Sequence, residues 1–130
     1  MMFSSVGFEC ILWDINKCPY TFNERSIVCH EDNVMCYKQR NGGSYRFVYY
    51  IDNTPVSGLQ IMVNNGRAEA ANVFTVKEHR RKGYSKIVFQ EALKHFRHIS
   101  FSKNRNREGQ IYVESCEHIT KLSKRLTVNN

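Results

Sequence analysis

The chain has 130 residues, the length of one domain with a single hydrophobic core. Its net charge is +7, from 19 lysines and arginines against 12 aspartates and glutamates, which favours an anionic partner: cofactor phosphates, a nucleic acid or an acidic protein surface. No apolar run approaches the ~18 residues of a transmembrane helix. The N-terminus also lacks the basic and apolar segments of a signal peptide, so we expect a cytoplasmic protein without membrane contact.

The five cysteines predict reduced thiols in a cytosolic protein. Their number is odd, and no Cys-x-x-Cys pair occurs. Cys29-His30 followed by Cys36 does not have the spacing of a zinc site, and we predict no metal site. The remaining possibility is that Cys10, Cys18, Cys29 and Cys36 meet in space.

The N-terminal third is predicted to hold one strand and a poorly patterned segment. Gly7–Ile15 alternates apolar and polar residues, which is typical of a strand. Asn16–Tyr20 is predicted as a loop. Thr21–Arg40 has apolar residues that could line one side of a helix, and we predict one or two short helices there. Residues 41–44, Asn-Gly-Gly-Ser, indicate a turn.

Three successive strands are predicted from residue 45 onward. Tyr45–Ile51, Val56–Val63 and Ala68–Val76 are rich in β-branched and aromatic residues. The turns between them, Asp52–Pro55 and Asn64–Arg67, contain residue types that accept a positive φ. Short turns between consecutive strands predict an antiparallel meander.

A basic loop with one glycine follows the third strand. Lys77–Lys86 holds five basic residues and one acid, and a helical apolar pattern runs from Gly83 to about His95–Ile99. A helix N-terminus carries unpaired N–H groups and a partial positive charge, and glycine lets a ligand approach the backbone. This order predicts a site for phosphate or pyrophosphate. The alternative, a solvated basic face, leaves Gly83 unexplained, because Ser, Asp or Asn would cap a helix better.

The C-terminal part is predicted as loop, strand and helix. Ser100–Gly109 is polar and basic and is predicted as a mobile loop. Its cluster Lys103–Arg107 is either solvated or a contact for an anionic acceptor such as nucleic acid. Gln110–Glu114 is predicted as a short strand, and Glu117–Leu126 as a helix with basic residues near its end.

Arg80-x-x-Gly83-x-Ser85 resembles the acyl-CoA loop of the GNAT superfamily of N-acetyltransferases, whose usual form is Gln/Arg-x-x-Gly-x-Gly/Ala on a strand-to-helix turn. Glu78–Gly83 is similar to the family's acidic–aromatic–Arg–x–Lys–Gly run. Cys116–Leu126 is similar to its second helix, which typically begins Asn-x-x-Ala and ends near a tyrosine. The resemblance covers roughly Tyr45–Leu126. It implies one domain over residues 1–130 with a three-layer α+β fold: a mixed, mostly antiparallel sheet, helices on both faces and a truncated C-terminus.

The sequence departs from the family pattern in three places. Ser85 replaces the second small residue. Ser123 falls where the family often has the tyrosine that protonates the departing CoA thiolate. Only Thr127–Asn130 follow the second helix, where the family usually adds two strands. Those strands would be absent, replaced by the N-terminal segment, or supplied by a second chain in a homodimer.

The resemblance implies that acetyl-CoA, the acyl donor, lies between two parallel strands, here Ala68–Val76 and Gln110–Glu114. Its pyrophosphate would bind backbone N–H groups of the loop, and Phe74 and Val76 would offer backbone hydrogen bonds to the pantetheine arm. The implied cofactor-binding residues are Phe74, Thr75, Val76, Arg80, Arg81, Lys82, Gly83, Tyr84, Ser85 and Lys86.

The implied reaction is direct attack of a primary amine on the thioester, which needs proximity, an oxyanion donor and a base. Glu69 on the third strand is the preferred base, acting through water; the alternative is an exposed side chain paired with Arg67. Glu114 and His79 are further base candidates. The candidate acids are Tyr112, Tyr84, Ser123 and Cys116.

Three functions stay open. The first is an acetyl-CoA-dependent N-acetyltransferase whose acceptor is an amine of a small molecule, a protein lysine or N-terminus, or an aminoacylated RNA. The second is a catalytically degenerate GNAT-fold protein that binds a macromolecular partner, which Ser123 and the short C-terminus favour. The third is a small basic nucleic-acid-binding domain, which needs Tyr45, Phe47, Tyr49 and Tyr50 on an exposed sheet face.

Overall fold

A computed structural model describes residues 9–11, 18, 20, 27–39, 43–101 and 105–128 of the chain. These residues form one sheet of seven strands, two helices and a 3-10 turn. The strands are β1 (Glu9–Ile11), β2 (Ile27–Glu31), β3 (Val34–Lys38), β4 (Ser44–Ile51), β5 (Thr54–Asn64), β6 (Arg67–Thr75) and β7 (Ile99–Phe101). The helices are α1 (Tyr84–His95) and α2 (Arg107–Val128), and the 3-10 turn is Lys77–His79.

The predicted meander of three strands is confirmed. β4, β5 and β6 pair in succession, all antiparallel. Asp52 and Asn53 form the first turn with φ of 48° and 63°, and Asn65 and Gly66 form the second with φ of 52° and 76°. Two consecutive residues with positive φ suit a two-residue hairpin, which is why Asn, Asp and Gly stand there.

The prediction of helices within Thr21–Arg40 is wrong for residues 27–38. β2 and β3 form an antiparallel hairpin there, and β3 pairs with β4. The turn is Asp32-Asn33, with Asp32 at φ 47°. The apolar run Val34–Tyr37 suits a helix or a strand equally by periodicity, and the turn decides for the strand. Residues 21–26 and 40 lie outside the described residues.

β6 carries parallel partners along one edge. Its first half pairs with β7 over Ala68–Ala70, and its second half pairs with β1 over Asn72–Phe74. β1 confirms the predicted strand Gly7–Ile15 for residues 9–11, and the remainder of that prediction lies outside the described residues. The other edge of β6 belongs to β5.

A bulge separates the two halves of β6. Against β5, Gln60 faces Asn72 whereas Ile61 faces Ala70, so Ala71 has no partner of its own in the ladder. Such an extra residue bends the strand and increases its twist. The bulge therefore lies between the stretch that pairs with β7 and the stretch that pairs with β1.

The prediction of a strand at Gln110–Glu114 is wrong, since these residues lie inside α2. The parallel strand that follows α1 is β7, which the sequence interpretation assigned to the helix end and the mobile loop. That loop, Ser100–Gly109, is thus shortened from both ends, and residues 102–104 lie outside the described residues. The predicted helix Glu117–Leu126 is confirmed as the later part of α2.

Asn106 explains the early start of α2. Its Oδ1 accepts a hydrogen bond from the Gly109 N–H at 2.7 Å, which is an N-cap contact. Buried positions such as Tyr112 and Cys116 then follow at helical spacing. The apolar run Ile111–Val113 alone is equally typical of a strand, which produced the wrong prediction.

The core lies between the sheet and the two helices. α1 contributes Val88, Phe89 and Ala92, and α2 contributes Tyr112, Val113 and Cys116. They pack on the strand residues Phe47, Leu59, Ile61, Ala68, Ala70 and Val73, among others. Both described helices therefore lie on one face of the sheet.

On the opposite face, the Tyr20 ring packs edge-on against Phe74 with 5.0 Å between centroids. Much of the N-terminal segment lies outside the described residues, and the described helices do not include one on this face, where the resemblance implied helices as well. The α+β fold with a mixed, mostly antiparallel sheet is confirmed.

Candidate functional site

The loop between β6 and α1 has an unusual backbone. Gly83 is the N-cap of α1 and has φ 84° and ψ 6°, in the left-handed region. Two residues earlier, Arg81 also has a positive φ, 62°. Turns that combine left-handed and other residues make concave groups of N–H donors, which bind anions. The left-handed conformation therefore explains why a glycine stands at position 83 of this loop.

The N-terminus of α1 presents its N–H groups. The first intrahelical hydrogen bond runs from the Ile87 N–H to the Gly83 carbonyl at 3.2 Å, and among the described residues no side chain caps the helix. The N–H groups of residues 84–86 thus precede the helical ladder. Arg81, Lys82 and Lys86 are exposed around them. Open donors, the helix dipole and three cations together favour an anion.

Arg80 links the loop to the end of β6. Its Nε donates to the Thr75 carbonyl at 3.1 Å. Its Nη2 is buried and has no hydrogen-bond partner in the described part of the chain. A buried guanidinium N–H without an acceptor is costly, and a phosphate oxygen is the acceptor that such a fork suits best. The residues present therefore fit a pyrophosphate group.

The residues that direct their backbone N–H and C=O groups away from β5 are not the ones expected from the sequence. The Val76 N–H donates to the Val56 carbonyl at 2.8 Å, and the Phe74 carbonyl accepts from Ser57 Oγ at 3.0 Å. Both residues thus direct backbone groups toward β5, away from the edge at which a cofactor arm was expected to bind. Because strand residues alternate in direction, Val73 and Thr75 face the opposite edge.

The expected gap between parallel strands is also placed differently. β7, and not Gln110–Glu114, is the parallel strand after α1, and it pairs with β6 only up to Ala70. Beyond the bulge, β1 pairs with Asn72–Phe74, including Val73. Thr75 lies just past this pairing, next to the loop.

A model of the acetyltransferase (GNAT) family matches residues 10–106. The chain belongs to the GNAT family of acetyltransferases. The match covers most of the chain, from β1 to the cap residue of α2, and includes the whole loop. No curated protein and no solved structure matches the chain. Family membership indicates an acyltransferase-type function and an acceptor substrate.

Glu69 lies on β6 of this GNAT sheet, as predicted. Its neighbours Ala68 and Ala70 face the helices, so its half-buried side chain points to the other face. Both ion pairs recorded among the described residues are made by Lys94, so Glu69 is not paired with Arg67. Six residue steps of ~3.3 Å put it about 20 Å from Thr75 and the loop.

Polar side chains that the sequence interpretation missed share the Glu69 face. Asn72 Nδ2 donates to Gln60 Oε1 at 2.9 Å, and Gln60 Nε2 donates to Ser44 Oγ at 2.9 Å. Gln60 is 1% exposed. The only sequence signal was a Gln and an Asn inside otherwise apolar strands.

The other catalytic candidates lie on α2, and two of them, Glu114 and Ser123, are exposed away from β6. Glu114 is exposed, and its Oε1 accepts from Gln110 Nε2 at 3.3 Å, so its expected place on a strand is wrong. Ser123 is exposed in a groove between the two helices. Tyr112 and Cys116 are buried in the core, with Tyr112 edge-on to Phe89 at 6.4 Å.

The early start of α2 also removes the argument that Ser123 replaces the family's catalytic tyrosine. The resemblance put the start of the family's second helix near Cys116, whereas α2 begins at Arg107, behind the Asn106 cap. Ser123 therefore lies far into the helix, and its identity says nothing about the family tyrosine.

The two remaining candidates lie next to the loop. The Tyr84 ring stacks on Tyr49 with 4.7 Å between centroids. The His79 N–H donates to the Val76 carbonyl at 2.8 Å, and its Nδ1 is buried without a partner among the described residues. Neither side chain is close in sequence or register to Glu69.

The described residues contain no group of three or more His, Cys, Asp or Glu side chains placed to hold a metal ion. Neither described helix has an apolar stretch long enough to cross a membrane.

Proposed function

We propose that the protein is an acetyl-CoA-dependent N-acetyltransferase of the cytoplasm that transfers an acetyl group to a primary amine by direct attack. The loop at the start of α1 carries this proposal. It combines an uncapped helix N-terminus, a left-handed Gly83 and a buried Arg80 nitrogen without a partner in the described residues. Together these features suit a phosphate-type anion.

The loop and the β6 edge would hold different parts of the donor. Arg80 and the N–H groups of residues 84–86 would bind the pyrophosphate, and Arg81 and Lys82 would add positive charge. The backbone of Thr75, and that of Val73 where β1 leaves it, would hydrogen-bond the amides of the pantetheine arm. Bound acetyl-CoA supplies a thioester carbonyl carbon for the amine to attack.

Glu69 is the proposed base, taking the amine proton through a water molecule. It is half-buried and makes no ion pair within the described residues, so its carboxylate is available to a proton. Its separation from the loop suits a donor whose anion and reactive carbon lie at opposite ends of a long arm. The face it shares with Asn72 and Gln60 is the proposed acceptor side.

Tyr112 is the proposed acid for the departing thiolate. It lies in the first half of α2, the helix that contacts β1 and so lies beside the β6 edge. Ser123 and Glu114 are exposed elsewhere on that helix and are not proposed.

The two alternatives have less support. The degenerate GNAT protein was favoured by Ser123 and the short C-terminus, and the start of α2 removes the first of these reasons. The nucleic-acid alternative needs exposed aromatic residues. Phe47 is fully buried, Tyr45 packs on Phe96 at 5.1 Å, and Tyr49 stacks on Tyr84.

Calorimetry with acetyl-CoA tests the binding step. Changing Arg81 and Lys82 together to Glu should weaken binding about 100-fold, since two phosphate interactions of about 1.4 kcal/mol each are lost. Changing Lys121 and Lys124 together to Glu is the matched control. It makes the same charge change on the exposed side of α2 and should leave binding unaltered.

The absence of wild-type binding would overturn the proposal, and so would an equal loss in both double variants. Thiol release measured over a panel of amines tests transfer separately. Binding without release for any amine would favour the non-catalytic alternative.

A further inference from the structure

Two cysteines face each other across the β2–β3 hairpin. Cys29 and Cys36 are register partners, and both are free thiols. Residues directly opposite on antiparallel strands point to the same face with Cβ atoms about 4.5–5.5 Å apart. A disulfide needs a Cβ separation of about 3.5–4.5 Å, so a small closure would suffice.

The two thiols differ in access. Cys36 is 2% exposed and belongs to the core, whereas Cys29 is half-buried at the rim of the hairpin. A solvent-borne reagent therefore meets Cys29 first, and Cys36 is positioned to react with whatever forms there.

His95, the last residue of α1, contacts the outer thiol. Its Nε2 is 3.3 Å from Cys29 Sγ. The imidazole packs against the Phe47 ring at 5.4 Å between centroids, and His95 is exposed to solvent. This contact lets His95 accept the thiol proton and deliver it to a leaving group.

Burial and two nearby carboxylates favour the protonated form of the thiols. Lys94 Nζ is 3.3 Å from Glu31 and 3.1 Å from the buried Glu91. Burial, followed by the charges of Glu91 and Glu31, raises the pKa of the Cys29 thiol. Burial and the neighbouring Cys29 also raise the pKa of Cys36. Reaction at Cys29 therefore requires a base in contact with the thiol. His95 is positioned to be that base.

We propose that Cys29 and Cys36 are a peroxide-responsive dithiol that closes to a reversible cross-strand disulfide. Cys29 sulfur attacks one oxygen of a hydroperoxide and breaks the O–O bond, giving Cys29 sulfenic acid. The leaving oxygen departs as water or alcohol with the proton that His95 took from the thiol. Cys36 sulfur then attacks Cys29 sulfur and breaks the S–O bond, and the hydroxyl leaves as water with the Cys36 proton.

The test uses the full chain, reduced and then exposed to hydrogen peroxide. Intact-mass measurement should show the loss of two hydrogen atoms, reversed by dithiothreitol, and peptide mapping without reductant should join Cys29 to Cys36. Cys29→Ser should abolish the change. Cys18→Ser, which removes a half-buried thiol elsewhere, should not.

Two further variants test the order of events and the base. In Cys36→Ala, confirmed as folded by circular dichroism, Cys29 sulfenic acid should accumulate and be trapped by dimedone. His95→Gln should slow disulfide formation about tenfold or more. Trapping at another cysteine, or a disulfide that excludes Cys36, would overturn the proposal. An unchanged rate in His95→Gln would remove the histidine from it.

Discussion

At the scale of single residues, the conformation of Gly83 matters more than the space around it. A Cβ at Gly83 would meet no atom within 4 Å. An alanine there is therefore disfavoured by its left-handed φ alone, by about 1 kcal/mol. Arg81 already occupies that region without the freedom of glycine, so the loop stores strain next to the candidate anion site.

Gly83→Ala should lower the melting temperature by about 4 °C and weaken acetyl-CoA binding, because a relaxed loop would turn its N–H groups away. Gly66→Ala is the matched control, since Gly66 also has a positive φ (76°) and open space around it, in the β5–β6 turn. It should cost similar stability and leave binding unchanged. Thermal unfolding and calorimetry measure the two effects. Equal losses of affinity would contradict a role for the loop backbone.

Glu69→Gln should lower kcat about 100-fold or more and leave acetyl-CoA affinity unchanged, because an amide of the same shape cannot take the amine proton. Glu114→Gln is the control, as Glu114 is exposed on α2 and should be dispensable. Initial rates of thiol release with an accepted amine measure the effect. Full activity in Glu69→Gln would show that Glu69 is only an exposed strand residue.

At the scale of elements, the meander and the loop were predictable because short-range chemistry determines them. Asn, Asp and Gly mark the β4–β5 and β5–β6 turns, and the basic loop has its glycine where the backbone needs a positive φ. β7 was missed because three residues carry too little pattern. α2 was started too late because the Asn106 cap is one side chain inside a polar segment.

The candidate site was predictable in part for the same reason. The loop residues and the position of Glu69 on β6 follow from local sequence. The direction of the β6 backbone does not, because it depends on how β6 pairs with β5. Ala71 at the bulge is an ordinary strand residue, so the sequence does not show where the pairing shifts. The sequence interpretation therefore assigned the cofactor-arm hydrogen bonds to Phe74 and Val76, whereas the backbone groups of Val73 and Thr75 face that edge.

At the scale of the whole molecule, the N-terminal strand and the proposed cofactor arm need the same edge. β1 pairs with Asn72–Phe74, next to Thr75 and the loop. The backbone N–H and C=O of Val73 cannot bond to β1 and to the pantetheine arm at the same time. The proposed binding mode therefore requires β1 to leave this edge.

Removing residues 1–12 should tighten acetyl-CoA binding about tenfold, since about 1.4 kcal/mol of competing β1 pairing is lost. Ile11→Pro tests the same point at full length, because a parallel ladder directs the Ile11 N–H at the Val73 carbonyl and proline has no N–H to donate. Calorimetry should show tighter binding for both. Weaker binding in both, with the fold intact, would mean that β1 supports the site.

Because of the Ala71 bulge, the two halves of β6 are out of phase by one residue. Glu69 in the first half and Asn72 and Phe74 in the second half all turn away from the helices. If Ala71 instead took a regular place in the ladder, Glu69 would share the face of Val73 and point into the apolar core, where an unpaired carboxylate is costly. The bulge at Ala71 thus decides on which side of the sheet the proposed base lies.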